Sequence, residues 1–368
     1  MRILLNITSL GVGGAERLVT GLADCFAESG HQVVVAAFHG EIELRPAHPA
    51  ILVVSLGMRR SPWGVLAALW RLRRVIESFR PDVVNSHLVH ANILTRLLRL
   101  VTRMPRLVSS AHNTNEEGRG RMLAYRLTDC LADISSNVSE EAVSAFEEQG
   151  ALRPGRMVAI HNGVDTTVFS FNKTERLRVR TELGLGHHTP LLLAVGRLWE
   201  AKDYPNLLSA FARMSDLVSR AHLAIVGAGP SREELETLAR HLGVAHHVHF
   251  LGIRHDIPAV MAASDVFVLS SAWEGFGLVV AEAMACERPV VATDSGGVRE
   301  VVGDAGFLVP PRDSEALARS IAAALALSSE AKVELGRAAR QRVVTSFSLA
   351  ATSERYLALY QGAGKGAA

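Results

Sequence analysis

The sequence predicts an α/β protein of two domains, each a parallel sheet with helices packed on it, and three observations carry that prediction. The chain has 368 residues, 48% of them hydrophobic, enough for two cores of ordinary domain size. Short apolar runs alternate with longer amphipathic stretches from the first residue, which is the rhythm of βαβ units. That rhythm stops at the turn residues Asn162-Gly-Val-Asp165, crosses a polar, charged segment over 172–189, and then begins again.

In the first series, residues 3–7, 32–38, 51–55, 82–86, 107–111 and 157–160 read as strands, and 15–28, 63–79 and 139–149 have helical spacing and length. The second series places strands at 191–195, 222–226, 247–251, 266–269, 290–293 and 306–309, again separated by helical stretches. Residues 317–327 and 330–344 follow as consecutive helices, and 349–360 as a last one. The expected domains are 1–165 and 166–345, followed by a C-terminal helix and a short flexible tail over 346–368.

Composition excludes several classes. A formal net charge of +2 removes the main reason to expect nucleic acid as a partner of the whole molecule. Cys25, Cys130 and Cys286 are isolated, so neither a disulfide framework nor a metal cluster is suggested and a reducing cytoplasm is expected. The N-terminus runs at once into polar, Gly-rich sequence unlike a signal peptide, and no apolar run approaches membrane-spanning length. The sequons at Asn137 and Asn172 are then expected to be chance matches.

Three segments could carry chemistry. The loop Gly11-Val-Gly-Gly-Ala-Glu16 follows a strand and opens a helix, so Gly13 and Gly14 sit where backbone N–H groups could meet an anion. A dinucleotide fingerprint would want Gly or Ala where Glu16 stands, which argues against NAD. Arg197 and Lys202 follow the strand 191–195, the end of a parallel strand that faces a ligand crevice, where the arginine fork and the lysine charge could neutralise a diphosphate. The alternative for them is two solvated surface cations. In Glu274-Gly-Phe-Gly-Leu-Val-Val-Ala-Glu282, Gly275 and Gly277 leave amides approachable at a helix start, and two glutamates eight apart suit a polyhydroxyl ligand such as a ribose or hexose. Glu282 lies among Val279, Val280, Ala281, Ala283 and Met284, where a carboxylate is disfavoured without a partner.

These segments, with Asn162-Gly-Val-Asp165, Val226-Gly-Ala-Gly-Pro230, Phe250-Leu-Gly252, Gly296-Gly-Val-Arg-Glu300 and Gly303-Asp-Ala-Gly-Phe-Leu-Val-Pro310, resemble the retaining glycosyltransferases of family 4, group 1, over nearly the whole chain. The resemblance implies the GT-B fold, two Rossmann-like domains facing across a cleft with the C-terminal helix returning to the first, and a metal-independent hexosyltransferase. It implies a nucleoside-diphosphate sugar as donor substrate, no cofactor, and a glycan or lipid-linked saccharide as acceptor, in bacterial polysaccharide or glycolipid assembly. Arg197 and Lys202 would then grip the diphosphate, Glu282 the ribose and Glu274 the donor sugar, with the Phe276–Leu278 backbone completing that pocket. The backbone of Gly252, Ile253 and Arg254 would meet the base. His112, in Ser109-Ser-Ala-His-Asn113, takes a family position near the reacting sugar, where Gly13 and Gly14 also lie; a lone strand-end histidine is otherwise more often structural. No Asp-X-Asp motif occurs, which disfavours a metal-dependent transferase of the other common fold.

Two rivals share these features: a sugar-nucleotide epimerase or hydrolase of the same fold, and a non-catalytic nucleotide-sugar-binding protein. The intact set Glu274, Glu282, Arg197, Lys202 and His112 favours transfer. One feature is left over. Residues 58–126 hold thirteen arginines against Glu77, Asp82, Glu116 and Glu117, and Trp63, Leu66, Leu69, Trp70, Leu72 and Ile76 are interleaved with Arg71, Arg73 and Arg74. That composition suits a helix lying on an anionic membrane surface, hence a peripheral location on the inner membrane face, or an ordinary core-facing helix with a basic back.

Overall fold

The structure, a computed structural model, describes residues 1–11, 13–114, 118–214 and 220–362. Val12 of the glycine loop, Glu116 and Glu117 of the charge count and tail residues 363–368 lie outside the described residues, as does the side chain of Arg119. Two compact units divide the chain, Met1–Gly163 with the segment from Leu349 onward, and Val164–Ser348. The chain therefore changes units after Gly163 and Ser348, where residues 165 and 345 were expected.

The first unit is a seven-stranded parallel sheet, with β1 (Arg2–Ile7), β2 (Gln32–Ala37), β3 (Leu52–Ser55), β4 (Val83–His87), β5 (Leu107–Ser110), β6 (Ile134–Asn137) and β7 (Met157–Ala159) in the order β3-β2-β1-β4-β5-β6-β7. Alternation along the strands feeds two cores. Ile3, Leu5, Val33 and Val35 pack with Leu18, Leu22 and Phe26 of the helix Gly14–Glu28. Leu4, Val34 and Ala36 pack with Ala68, Leu72 and Ile76 of the helix Pro62–Phe79. Because both faces are covered, the strands read as continuous apolar runs.

Strand β6 escapes that pattern and was missed in the sequence. Its Ser135, Ser136 and Asn137 are buried but polar, and each has a partner. Arg96 donates to Ser135 Oγ at 2.8 Å, Ser136 Oγ lies 2.8 Å from Ser110 Oγ, and Asn137 donates to the Asn113 carbonyl at 3.1 Å. Arg96 is itself fully buried, donating also to Ser109 Oγ at 3.0 Å, so one of the thirteen arginines belongs to the interior and not to a basic surface.

The helix Leu349–Tyr360 belongs to this unit, as the fold class predicts. Tyr356, Leu359 and Tyr360 enter the core of Ile3 and Leu5; the Tyr360 ring lies 5.7 Å from Phe26 and its hydroxyl donates to Asn85 Oδ1 at 2.6 Å.

The second unit is a six-stranded parallel sheet, with β8 (Leu191–Val195), β9 (His222–Val226), β10 (Val248–Gly252), β11 (Val266–Leu269), β12 (Val290–Thr293) and β13 (Phe307–Val309) in the order β10-β9-β8-β11-β12-β13. The polar, charged segment ahead of it, for which the sequence reading assigned no element, contains the helix Lys173–Glu182. Asn172 caps it by accepting from the amides of Thr174 and Glu175 at 2.9 and 3.1 Å. Its arginines dock it with few apolar residues: Arg176 donates to the Ala263 carbonyl at 2.7 Å and pairs with Asp265 at 2.5 Å. Polarity here serves docking, so hydrophobic periodicity could not reveal the helix.

Candidate active site

In a parallel sheet of this type, ligands bind beyond the carboxyl ends of the strands where the strand order reverses. In the second unit that switch lies between β8 and β11, and the loops that follow these strands carry Arg197, Lys202 and Glu274. Two contacts clamp the loops together. Ser270 Oγ donates to the Lys202 carbonyl at 2.8 Å, and the Ala272 amide donates to the Ala201 carbonyl at 2.8 Å. The clamp brings the Lys202 ammonium onto Glu274 Oε1, which also accepts from Ser271 Oγ at 2.6 Å. Both side chains are mostly buried, 17% and 13% exposed, so the pair is shielded yet open to a ligand.

Glycines make this approach of backbones possible. A Cβ on Gly227 would lie 2.8 Å from the Gly196 carbonyl carbon, and one on Gly296 would lie 2.7 Å from that of Glu274, each overlapping the attached oxygen. Gly296 also has φ +59, and Gly297 donates to the Gly275 carbonyl at 3.3 Å, seating the 274–277 loop against the chain after β12.

Arg197 is exposed, its guanidinium 5.5 Å from the Trp199 ring, and it has no ion-pair partner among the described residues. Glu282 is 4% exposed on the helix Leu278–Ala285, where Val280, Ala281, Ala283, Met284 and Ala285 are also buried. Gly277 begins that helix in the left-handed region with φ +82, and Phe276 is buried with its ring 5.7 Å from Phe347. Gly252 ends β10, two strands from β8, and Ile253 beyond it is exposed. The Arg254 side chain is turned away to Glu182 and Asp256, pairing with Asp256 at 2.7 Å, and it holds the Asp256 carboxyl below the usual carboxylate range. Its guanidinium is therefore engaged by two carboxylates of the same unit.

In the first unit Gly13 is the extended residue before the helix Gly14–Glu28, and Gly14 is exposed. The Glu16 carboxyl folds back so closely that a Cβ on Gly13 would lie 3.1 Å from its Cδ. The helix start therefore carries its own acid, whose pKa burial raises. His112 follows β5 and is partly buried. Its Nε2 lies 3.1 Å from Nδ1 of His87, the last residue of β4, which is fully buried. Burial pushes the His112 imidazole down to about 4 and His87 well below its ordinary value. Sequence reasoning missed His87; the signal was present, since it directly follows the strand expected at 82–86 just as His112 follows that expected at 107–111.

Two parallel-sheet units, one with cations and carboxylates gathered at its switch point, define a Rossmann-like ligand-binding protein. Residues 175–342 match the family model for glycosyl transferases group 1, and residues 12–168 match that for glycosyltransferase family 4. The chain is 33% identical over 317 residues to D-inositol 3-phosphate glycosyltransferase of Geodermatophilus obscurus, covering 78% of this chain and 70% of that protein. It is 27% identical over 349 residues to the lipopolysaccharide core biosynthesis glycosyltransferase LpsE of Rhizobium meliloti, covering 94% and 95%. Among solved structures, Anabaena HepE in complex with UDP and glucose matches with a TM-score of 0.85 at 24% identity, over 98% of this chain and 100% of that one. The chain belongs to the family 4, group 1 glycosyltransferases, with the GT-B fold.

Proposed function

We propose that the enzyme moves a hexosyl group from a nucleoside-diphosphate sugar to an acceptor hydroxyl with retention of anomeric configuration and without a metal, in the assembly of a bacterial polysaccharide or glycolipid. The observation that carries this reading is the gathering of Arg197, Lys202 and Glu274 at the β8/β11 switch point, with Glu282 buried on the helix that leaves the same loop. Arg197 and Lys202 neutralise the diphosphate, Glu274 and the Phe276–Leu278 amides take the sugar hydroxyls, and Glu282 takes the ribose. The backbone of Gly252, Ile253 and Arg254 meets the base. The acceptor oxygen bonds to the anomeric carbon from the face the diphosphate leaves, and the acceptor proton passes to the departing phosphate oxygen. His112 and the Gly13–Gly14 backbone are assigned the stabilisation of charge on the reacting groups. The names of LpsE and of the inositol phosphate enzyme support a saccharide or polyol acceptor. Incubation with a panel of nucleotide sugars and a mixed acceptor pool is expected to give a glycoside whose anomeric NMR signal keeps the donor's configuration. An inverted signal would exclude the mechanism, and free or epimerised sugar alone would favour the rival chemistry.

A membrane-bound acceptor is supported by the helix Pro62–Phe79. Ala68, Leu72 and Ile76 satisfy its core-facing side, yet Trp63, Leu66 and Trp70 stay 81%, 56% and 53% exposed. Arg59, Arg60, Arg73 and Arg74 are exposed around them, Arg74 stacking 3.8 Å from the Trp70 ring centre. No helix among the described residues is long and apolar enough to cross a membrane. Arg73 pairs with Glu77 at 2.6 Å, which leaves Arg59, Arg60 and Arg74 to draw the helix to an anionic inner face at about 1 kcal/mol each. Co-sedimentation at low salt is expected to pellet more protein with anionic than with neutral vesicles, and less after Trp63→Ala. Equal pelleting would leave a water-soluble acceptor as the better reading.

A further inference from the structure

The second unit has a cavity of about 450 Å³ that none of the assignments above uses. It lies at the start of the helix Tyr204–Arg213, walled by the loop before that helix, the loop after β11 and Arg312 after β13. Its size falls within that of small-molecule sites, roughly 300–1,000 Å³. Neither Lys202 nor Glu274 lines it, although their chain neighbours Asp203 and Trp273 do. The two loops joined through Ala201 and Ala272 therefore serve two places, the ion pair in one and the Asp203 and Trp273 side chains in the other.

The lining limits what could bind. Trp273 is 41% exposed, and its ring meets that of Trp199 edge-on with the centres 6.5 Å apart. An indole held open in this way is a platform for an apolar face. Around it Glu200, Asp203, Ser209 and Arg312 supply both acceptors and donors. Glu200 and Arg312 are exposed and form no ion pair among the described residues, and Asp203 accepts a long bond, 3.4 Å, from the Asn206 amide. Burial raises the Asp203 carboxyl and Arg312 opposes the rise, so the guanidinium acts on that carboxylate without pairing with it. Asp203 and Arg312 have φ of +44 and +60, two of the five non-glycine residues with positive φ, and such conformations gather at ligand sites. Two carboxylates against one guanidinium disfavour a phosphate, and the polar rim disfavours a lipid chain. A pyranose ring meets every wall: each hydroxyl donates and accepts, and the C–H face covers an indole.

We propose that this cavity is a second, non-catalytic saccharide-binding site, in which Trp273 stacks on a pyranose ring and Glu200, Asp203 and Arg312 hold its hydroxyls. The assignment rests on the cavity alone and stands whichever reaction the Lys202–Glu274 pair serves. A glycan held here stays tethered to the unit that carries those residues, which raises its effective concentration beside them.

Fluorine NMR of the full chain labelled with 5-fluorotryptophan, with the Trp273 signal assigned from Trp273→Phe, reads the cavity directly. Maltotriose, cellotriose, chitotriose and, separately, inorganic phosphate are titrated. At least one of the sugars is expected to move the Trp273 signal saturably and to leave those of Trp63 and Trp70 in place. Arg312→Ala should weaken that binding about tenfold, Ser209→Leu, which puts bulk into the cavity, should abolish it, and Glu274→Ala should leave it unchanged. A Trp273 signal that none of the sugars moves at their highest soluble concentrations overturns the proposal. So does a shift lost in Glu274→Ala but kept in Arg312→Ala, which would put the sugar with the ion pair, or a saturable response to phosphate alone. Should Ser209→Leu not fold, Arg312→Ala decides, because the Arg312 side chain is exposed.

Discussion

Gly296→Ala is expected to lower turnover by about a hundredfold and to destabilise the second unit by roughly 1–3 kcal/mol. Two causes add. Alanine disfavours the φ of +59 that the residue adopts, and its Cβ would lie 2.7 Å from the Glu274 carbonyl carbon and overlap the oxygen. The obstacle is backbone, so no side-chain rotation relieves it. Either the 274–277 loop or the chain after β12 must move by the order of 1 Å, and a shift of that size at a reacting centre costs about 10²-fold in rate. Steady-state kinetics with thermal unfolding checks this, with Gly243→Ala as control. Gly243 has φ +72 but nothing within 4 Å of its added Cβ, so it isolates the backbone term. If the two variants behaved alike, the loop contact would not be what positions Glu274.

Glu274→Ala is expected to cost roughly 10- to 200-fold in turnover, the equivalent of about 1.5–3 kcal/mol for charge-assisted hydrogen bonds to the sugar. Binding of the sugar-free nucleoside diphosphate should hold steady or improve. The reason is the ion pair. Lys202 is paired with Glu274, so a phosphate bound there would have to compete for the ammonium. Removing the carboxylate frees Lys202 for phosphate while deleting the sugar contact. Lys202→Ala should instead weaken diphosphate and donor alike, and it leaves a largely buried Glu274 with Ser271 as its remaining short contact. Calorimetry with the diphosphate, beside kinetics with the donor, separates the two. Equal losses on both ligands in both variants would contradict the division into phosphate and sugar subsites.

Much of the site was legible because its chemistry is written in short stretches. Arg197 and Lys202 directly follow an apolar run, and Glu274 to Glu282 form one loop-to-helix segment, so strand-end logic alone places them at a crevice. Contacts between residues far apart in the chain were not legible. The Lys202–Glu274 pair spans 72 positions and the His87–His112 pair 25. Arg254 reaches back 72 positions to Glu182, which is why its side chain is spoken for. Charge counting failed at Arg96 for a related reason: a tally along the chain cannot tell a solvated guanidinium from one satisfied by buried hydroxyls and carbonyls.

The sequence by itself determined the two parallel sheets, because burying both faces of a strand demands an apolar run that any reader of the chain can see, and the family resemblance supplied the return of the C-terminal helix. Only the tertiary structure decided where polarity is interior. Strand β6 and the helix Lys173–Glu182 are held by hydroxyls and guanidinium groups instead of apolar side chains, and His112 meets His87 of another strand. Hydrogen bonds and ion pairs need a partner at a set distance and angle, which sequence spacing does not encode, whereas hydrophobic burial needs only a face.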